Sequence, residues 1–280
     1  MRKKKKKYLI LPSALLIALL ICGTVSASAE TAEDGNAAEE TAEAAEATET
    51  AEESDGAETE ATAEAVQPDC SSWAVEEVSE AIAEGLVPEH LQSDYQQPVT
   101  RGELAELTAY YELWHEPEGT TLEEMWEKKD NQYDQWREQE TSNPGFYRYY
   151  GENVFSDTNE ELYNRMYQFH YIEGYPDGTF RPDNSVKRME AAVLLWPVLS
   201  PRIGGHMTPA AWFTQAVYQF EDIDSIPEWS LYPVAWMWMY DCIKGYSDTI
   251  YGPEDLMTRE QAIVTILRML VSDHSIESIN

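Results

Sequence analysis

The sequence predicts an all-α fold built from repeated helix-loop-helix units. Two observations support this prediction: part of the chain repeats itself at a fixed spacing, and apolar residues recur at helical intervals around each repeated loop. The chain contains no long run of alternating apolar and polar residues, which is the pattern of a half-buried strand. Because one helix-loop-helix unit cannot cover its own apolar face, we expect the units to share a core.

The N-terminus has the composition of an export signal. A basic stretch from Arg2 to Lys7 precedes an apolar run from Tyr8 to Cys22, and small residues then lead to Ala27-Ser28-Ala29. This order is typical of a secretory signal peptide, which we assign to 1–29. The apolar run is shorter than the roughly 20 residues of a membrane-spanning helix, so we expect cleavage after Ala29 and no stable membrane span afterwards.

Residues 30–66 consist almost entirely of Ala, Glu and Thr, with fourteen acidic residues and no Lys, Arg or aromatic residue. Such a segment buries too little apolar surface to offset the entropy lost on ordering. We therefore predict a disordered, self-repelling acidic tether, which offers a contact for a protein partner in the cell envelope.

The charge of the remaining chain limits its partners. From Gln67 onward there are 38 acidic and 13 basic residues, a formal charge of −25. Binding to nucleic acid phosphates needs a basic face, so we expect no nucleic acid partner. An anionic ligand must be met by a few local arginines or through a bridging cation.

The repeat is clearest in the second half of the chain. Gly174 and Arg188 are 14 residues apart, as are Gly245 and Arg259. Within each of these two stretches an Asp, an aromatic residue and a Pro stand at the same distances from the glycine. They are Asp177, Phe180 and Pro182 in one copy and Asp248, Tyr251 and Pro253 in the other. We interpret both stretches as copies of one unit.

A third, more divergent copy lies upstream. Trp73 opens a helical pattern that leads, through a shorter loop, to Thr100-Arg101-Gly102-Glu103, and Trp229 opens the matching pattern in the last copy. Phe155-Ser156-Asp157 and Phe220-Glu221-Asp222 lead into the first helix of the other two copies. The apolar residues at helical spacing are Val78, Ile82, Leu86, Leu104, Leu107 and Tyr111, then Leu162, Met166, Phe169, Leu194, Leu195 and Val198, then Val234, Met237, Trp238, Ile263, Ile266, Leu267 and Leu270.

These patterns divide the chain into units at 67–114, 153–199 and 219–272, which we name segments 1, 2 and 3. Residues 115–152 are an insertion, 200–218 a linker with a short helix, and 273–280 a tail. In the insertion, a charged stretch from Leu122 to Gln139 places Trp126, Tyr133 and Trp136 near one face. This pattern predicts a surface helix docked by an aromatic stripe, and a platform for sugar rings is the alternative.

The run Gly174-Tyr175-Pro176-Asp177-Gly178-Thr179-Phe180-Arg181-Pro182-Asp183 resembles the central loop of S-layer homology domains. Thr100-Arg101-Gly102-Glu103 and Thr258-Arg259-Glu260-Gln261 resemble the Thr-Arg-Ala-Glu helix start of that family. The resemblance covers about 68–114, 153–199 and 219–270. It implies three tandem repeats in an all-α, three-lobed, pseudo-trimeric domain with a central bundle of one helix from each repeat.

When the family resemblance is set aside, the helix-start motif allows two interpretations. Thr100 with Glu103, and Thr258 with Gln261, have the spacing of a capping box, which explains every residue of the motif except the arginine. A cation in the first turn opposes the helix dipole, so the arginine needs another reason to be there. It either completes an anion site with the backbone N–H groups, or pairs with a carboxylate such as Asp157 or Asp222 and joins neighbouring repeats.

The resemblance implies the first of these. In that family the arginines line grooves between repeats and bind negatively charged, often pyruvylated, secondary polysaccharides attached to peptidoglycan. Carried over to this chain, the expected polymer-binding residues are Arg101, Arg188, Arg259, Trp73, Trp229, Asp157, Asp222, Gly174, Tyr175, Asp177, Gly178, Gly245 and Tyr246. The resemblance also implies a location in the cell wall, at the surface of a bacterium of Gram-positive type.

The chain departs from the family pattern at three places. Glu89 stands where Gly174 and Gly245 stand, Lys187 replaces a capping Thr, and Thr249 takes the position of Gly178. The number of working grooves is therefore open. A degenerate scaffold that binds a protein at the cell envelope, and no polymer, is the alternative function.

We find no motif of catalytic residues in this sequence. The five histidines are scattered without metal-ligand spacing, and neither G-x-S-x-G nor H-E-x-x-H occurs. We expect a binding protein with no enzyme activity, no metal and no cofactor. After the leader, Cys70 and Cys242 remain, and their pairing is left open because an exported chain permits but does not require a disulfide.

Overall fold

The computed structural model describes residues 68–139, 154–202 and 216–277, with the backbone alone for 133–139, 216 and 275–277. These ranges hold seven α-helices, which are α1 (Val75–Ala83), α2 (Arg101–Trp114), α3 (Leu122–Gln139), α4 (Glu161–Gln168), α5 (Arg188–Leu199), α6 (Glu228–Met239) and α7 (Arg259–Glu277). Short 3₁₀ helices span Glu89–Leu91, Ala216–Gln219 and Ile223–Ser225. In the described ranges, extended pairing is limited to isolated bridges, so the predicted all-α class is confirmed there. The predicted leader and tether lie outside the described residues.

The second helix of each segment begins at the predicted arginine: α2 at Arg101, α5 at Arg188 and α7 at Arg259. Thr100 accepts a hydrogen bond from the backbone N–H of Glu103, and the Glu103 carboxylate accepts one from the N–H of Thr100. This capping box satisfies two backbone donors that the helix start leaves unpaired. The predicted helix starts are therefore confirmed.

A closed ring of backbone hydrogen bonds joins the residues just before these three helices. The N–H of Val99 donates to the carbonyl of Met257 (2.8 Å), that of Met257 to Val186 (2.9 Å), and that of Val186 to Val99 (3.1 Å). Each segment thus donates to one neighbour and accepts from the other. The same three stretches form the isolated bridges, so they hold the N-terminal ends of α2, α5 and α7 side by side.

Helix packing follows the same cyclic order. The first helix of each segment packs on the second helix of the preceding one: α4 on α2, α6 on α5, and α1 on α7. Of the predicted apolar positions, those fully or almost fully buried are Val78, Leu86, Leu104, Leu107, Tyr111, Met166, Leu195, Val198, Val234, Met237, Ile263, Ile266, Leu267 and Leu270. Most of these residues belong to one cluster that all three segments share, whereas Met166 lies in a second cluster with Phe155 and Phe180. Both clusters remove apolar faces that single units would expose.

The insertion helix α3 docks through Met125 and Trp126, which are both buried. The Trp126 ring stacks on Phe169 at a centroid distance of 5.7 Å. This contact confirms the predicted docking at Trp126. The side chains of the other two aromatic residues of the predicted stripe, Tyr133 and Trp136, lie outside the described part.

A buried ionic network joins α3, Tyr171 of segment 2 and the start of the linker to α2. Glu112 is almost fully buried, and its carboxylate accepts hydrogen bonds from Lys129 (3.1 Å), Arg202 (2.9 Å) and the Tyr171 hydroxyl (2.8 Å). A buried carboxylate needs such partners, because an unpaired charge in the interior is very costly.

Asp273 of α7 extends this network, since His115 lies 2.8 Å and the Tyr111 hydroxyl 3.2 Å from its carboxylate. Cys70 and Cys242 are both free thiols, which answers the question that the sequence left open. No helix of the described ranges has the length and apolarity to cross a membrane.

Candidate ligand site at the junctions between segments

Each of the three arginines spans from its own helix to the loop of the next segment, and we call these three contacts the junctions. At the first junction, Arg101 Nε donates to the carbonyl of Phe180 (2.9 Å) and Nη2 to that of Glu173 (3.1 Å). The guanidinium carbon lies 4.7 Å from the centre of the Tyr175 ring and 5.0 Å from that of Phe180. Arg101 is only 7% exposed, and this burial lowers the pKa of its guanidinium.

The second junction repeats this geometry one segment later. Arg188 Nε donates to the carbonyl of Tyr251 (3.2 Å), and Nη2 donates to that of Lys244. Its guanidinium carbon lies 4.5 Å from the Tyr246 ring and 5.2 Å from the Tyr251 ring. Both junctions therefore combine a buried guanidinium, two backbone carbonyls and a cation–π contact with the tyrosine of a Gly-Tyr pair.

Two hydrogen bonds use only part of a guanidinium, which has five N–H donors. Among the described residues, none accepts a hydrogen bond from Nη1 of Arg101 or Arg188. These remaining donors can serve an anion, and the desolvated surroundings make such a bond stronger than in water.

The third junction differs in its acceptors. Arg259 Nη1 donates to the carbonyl of Ser93 (2.5 Å), and Nη2 forms an ion pair with Glu103 Oε1 (2.5 Å). Ser93 occupies the position of Phe180 and Tyr251, so the aromatic ring of the other two junctions is missing here. Arg259 is 4% exposed, like its counterparts.

The carboxylates proposed as partners of the arginines have another role. Asp157 accepts hydrogen bonds from the backbone N–H groups of Phe180 (2.8 Å) and Arg181 (2.7 Å), and Asp222 accepts from those of Tyr251 (3.1 Å) and Gly252 (2.7 Å). Burial acts to raise the pKa of Asp157, but the backbone hydrogen bonds outweigh it and the pKa lies below its usual value. In place of the alternative Asp–Arg pairing, each Asp pairs with backbone N–H groups of its own loop. The arginines do join neighbouring segments, but through backbone carbonyls.

The glycines of the Gly-Tyr pairs are required by close packing. A Cβ at Gly245 would lie 2.6 Å from the carbonyl oxygen of Ile250 and 2.7 Å from that of Ser247, and one at Gly174 would lie 2.6 Å from the Phe155 ring. Gly178 has a φ of +80°, a left-handed conformation that other residues adopt at a cost. Asp177 closes the same turn by accepting from Thr179 and Arg181, and these bonds lower its pKa to about 2.

The tryptophans lie at the surface. Trp73 is 51% exposed and Trp229 57%, and Tyr246 is 53% exposed above Arg188. Large aromatic faces left in water are unusual in a packed helical domain and are typical of contact surfaces. Their exposure favours the binding interpretation of these residues over a place in the core.

Sequence reasoning missed Arg181. Its guanidinium carbon lies 4.0 Å from the Tyr175 ring, so that ring has arginine contacts from both Arg101 and Arg181. Arg181 has a φ of +58°, and the residues at the matching positions, Asp94 and Gly252, also have positive φ. Aligning the three loops would have shown that a basic residue occupies a position that suits glycine.

Two of the three segments are similar in sequence to a known domain family. Residues 164–192 and 219–263 match the family model of the S-layer homology domain. These two ranges of the chain are similar to the S-layer homology domain. The matched ranges include Tyr175, Arg188, Tyr246 and Arg259, whereas Arg101 lies outside them.

Cell surface glycoprotein 1 of Acetivibrio thermocellus is 27% identical to the chain over 100 residues. That alignment covers 36% of this chain and 4% of the glycoprotein, so the chain spans a small fraction of this relative's length. Within the described residues, His, Cys, Asp and Glu side chains do not gather into a group of three that could hold a metal ion.

Proposed function

We propose that this protein is exported to the bacterial cell surface and binds an anionic secondary polysaccharide of the cell wall non-covalently. In this proposal segments 1, 2 and 3 are three tandem S-layer homology repeats that form one three-lobed domain. The matched family ranges and the name of the Acetivibrio thermocellus relative support a place at the cell surface. The domain has a binding role and no catalytic one.

The observation that carries the proposal is the pair of matching junctions at Arg101 and Arg188. Each guanidinium is buried, contacts a tyrosine ring, and keeps N–H donors beyond those given to backbone carbonyls. In a chain of this net negative charge, an anionic ligand needs such a local cation to overcome long-range repulsion. A carboxylate on a sugar, such as a pyruvyl group, is a planar partner that suits the bidentate donors of an arginine.

The exposed aromatic residues fit the same ligand. Tyr246 covers Arg188 with one part of its ring while about half of its surface faces solvent, and Trp73 and Trp229 present free indole faces. Aromatic faces suit the apolar C–H faces of sugar rings, and a nearby cation selects the acidic sugars. The acidic tether over 30–66 then extends from the anchored domain toward an envelope protein partner.

The direct test is co-sedimentation of the full exported chain with purified cell-wall sacculi, before and after acid extraction of the secondary polymer. We expect pelleting with intact sacculi and none with extracted sacculi. Arg188→Gln and Tyr246→Leu are expected to lower the apparent affinity about tenfold each, since each removes one direct contact. Arg165→Gln is the matched control, because Arg165 carries the same charge but pairs with Glu161 and Asp130 on α4 and α3. Circular dichroism confirms that each variant is folded.

The second candidate is a scaffold that binds a protein in the envelope and no polymer. The observation that favours it is that all three arginines already join segments through buried contacts, which is a structural role sufficient to retain them. A folded chain that stays in the supernatant with intact sacculi would establish this alternative and exclude the polymer anchor.

A further inference from the structure

The three junctions are equivalent in position but not in their acceptors. At Arg101 and Arg188, Nη2 donates to the carbonyl of the residue before the Gly-Tyr pair, which is Glu173 or Lys244. At Arg259, Nη2 instead contacts the Glu103 carboxylate. Among the described residues, the third guanidinium is therefore the one of the three that forms a direct hydrogen bond with a carboxylate.

A shorter loop in segment 1 causes this difference. In each segment a residue with positive φ follows the first helix. In segment 1 this residue, Gly85, is 16 positions before Arg101, whereas in segment 2 the matching residue, His170, is 18 positions before Arg188. The loop of segment 1 forms the 3₁₀ helix Glu89–Leu91, in which the carbonyl of Pro88 accepts from the N–H of Leu91. Pro88 matches Glu173 and Lys244, but its carbonyl accepts from Leu91 and not from Arg259.

The guanidinium of Arg259 also has few donors left for a ligand. Nη1 bonds to Ser93, Nη2 bonds to Glu103, and the amide oxygen of Gln97, in the orientation that satisfies its hydrogen bonds, accepts from both nitrogens at 2.9 and 2.5 Å. Nε is buried and has no partner among the described residues. An incoming carboxylate would have to displace Glu103 to obtain a bidentate contact.

The surroundings repel an anion as well. Glu103 belongs to the capping box of α2, where its Oε2 accepts from the N–H of Thr100 at 3.0 Å, so the carboxylate is held in place. Asp94 occupies the position of Arg181, so an acid stands where the first junction has a second cation. In the cyclic order the residues that match Glu103 are Glu190 at the first junction, which caps Lys187 and accepts no hydrogen bond from Arg101, and the neutral Gln261 at the second junction.

We propose that Glu103 is an internal ligand of Arg259, whose carboxylate occupies the place that the first and second junctions offer to the acidic group of the polymer. The protein then binds polymer at two junctions, and the third is a closed structural contact. This inference rests on the proposed function for the number of ligand sites, but the Glu103–Arg259 pair is testable without any ligand.

The test uses NMR of the arginine Nε–H groups in the full exported chain, with signals assigned by arginine-to-lysine substitutions. Without ligand, Glu103→Gln is expected to move the Arg259 signal and to leave those of Arg101 and Arg188 in place. Glutamine keeps the cap of α2, because Gln261 caps Thr258 in the same way. Glu190→Gln is the matched control, since Glu190 caps Lys187 in segment 2 and acts on Arg101 only through its charge, without a hydrogen bond to it. An Arg259 signal that does not respond to Glu103→Gln would overturn the inference.

The second arm adds acid-released wall polymer to the unmodified chain. We expect the signals of Arg101 and Arg188 to shift and that of Arg259 to stay, and in Glu103→Gln we expect the Arg259 signal to respond as well. A shift of all three signals in the unmodified chain contradicts the internal ligand while leaving the proposed function intact. If no arginine signal moves, the proposed function is wrong, and the ligand-free arm alone decides whether Glu103 closes the third junction.

Discussion

Asp222 accepts a hydrogen bond of 2.7 Å from the backbone N–H of Gly252 and one of 3.1 Å from that of Tyr251. The carbonyl of the same Tyr251 accepts from Arg188 Nε. One carboxylate therefore fixes the loop whose carbonyl receives the arginine of the preceding segment. The leading Phe-x-Asp motif and the helix-start arginine are parts of one contact.

This relationship predicts the effect of Asp222→Ala. The substitution removes two acceptors from backbone N–H groups, so we expect the free energy of unfolding to fall by about 2 kcal/mol. Urea denaturation followed by circular dichroism measures the change. Asp224→Ala is the control, because Asp224 is exposed in the adjacent 3₁₀ helix and should change stability by less than about 0.5 kcal/mol. Equal effects of the two substitutions would show that the Asp222 bonds do not stabilise the loop.

Two glycines of the loops should differ in their tolerance of alanine. At Gly245 a Cβ would meet two backbone carbonyl oxygens at 2.6 and 2.7 Å, and the turn must open to admit it. We expect a loss of about 3 kcal/mol for Gly245→Ala. At Gly178 no atom lies within 4 Å of the added Cβ, and only the left-handed φ of +80° is unfavourable, so Gly178→Ala should cost about 1 kcal/mol.

Chemical denaturation of the two glycine variants and the unmodified chain provides the measurement. A smaller loss at Gly245 than at Gly178 would mean that the turn relaxes at no cost, which contradicts the close packing described above.

Two fully buried tyrosines differ in the partners of their hydroxyl groups. Tyr111 and Tyr251 are both fully buried, but the Tyr111 hydroxyl donates to Asp273 at 3.2 Å, whereas that of Tyr251 has no partner among the described residues. Segment 2 has Phe180 at the position of Tyr251. We therefore expect Tyr251→Phe to stabilise the protein by about 1 kcal/mol and Tyr111→Phe to destabilise it by a similar amount.

Thermal unfolding of both phenylalanine variants is the test. If Tyr251→Phe lowers the melting temperature, the Tyr251 hydroxyl has a partner that stabilises the second junction, and the account of that residue is wrong.

The Glu112 network makes stability depend on pH. Burial acts to raise the pKa of Glu112, but Lys129, Arg202 and the hydrogen bonds to the carboxylate outweigh it, so the pKa lies below its usual value. A carboxyl group with a depressed pKa stabilises the fold above its unfolded pKa of about 4.3, and this contribution is lost as the pH falls through the folded pKa. We expect Glu112→Gln to cost about 3 kcal/mol at pH 7.

The difference between Glu112→Gln and the unmodified chain should shrink as the pH falls below about 4.3, because the carboxyl of the unfolded chain is protonated first and that of the folded chain follows at its lower pKa. Urea denaturation of both proteins at pH 7, 5 and 3 measures this difference in the free energy of unfolding. A difference that stays constant across this range would mean that the charge of Glu112 does not carry the effect.

The sequence was sufficient to predict the features that depend on local chemistry. The starts of α2, α5 and α7 follow from motifs such as Thr100-Arg101-Gly102-Glu103, in which the capping residues are neighbours along the chain. The burial of Leu104 and Ile263 follows from apolar periodicity. The aromatic stripe of the insertion was sufficient to predict that Trp126 docks on the rest of the protein. It was not sufficient to predict that Phe169 is the residue it stacks on.

The contacts that build the junctions left no such signal. The acceptors of Arg101 and Arg188 are backbone carbonyls, which every residue has, so composition cannot distinguish them from other loop positions. Glu103 and Arg259 are 156 positions apart, and their pairing follows from the shorter loop and the cyclic order of the segments. Arg181 had a weak sequence signal, because it stands where segment 3 has Gly252, but its contact with Tyr175 depends on the folded loop.

The most direct test of the central claim is isothermal titration calorimetry with acid-released secondary wall polymer. The polymer is titrated into the full exported chain and into an Arg101→Gln/Arg188→Gln variant. Circular dichroism confirms that the variant is folded. We expect the polymer to bind the unmodified chain. In the double variant we expect the affinity to fall about 100-fold or more, since both ligand-facing guanidiniums have been removed. Equal affinities for the two proteins would contradict the claim that these junctions hold the polymer.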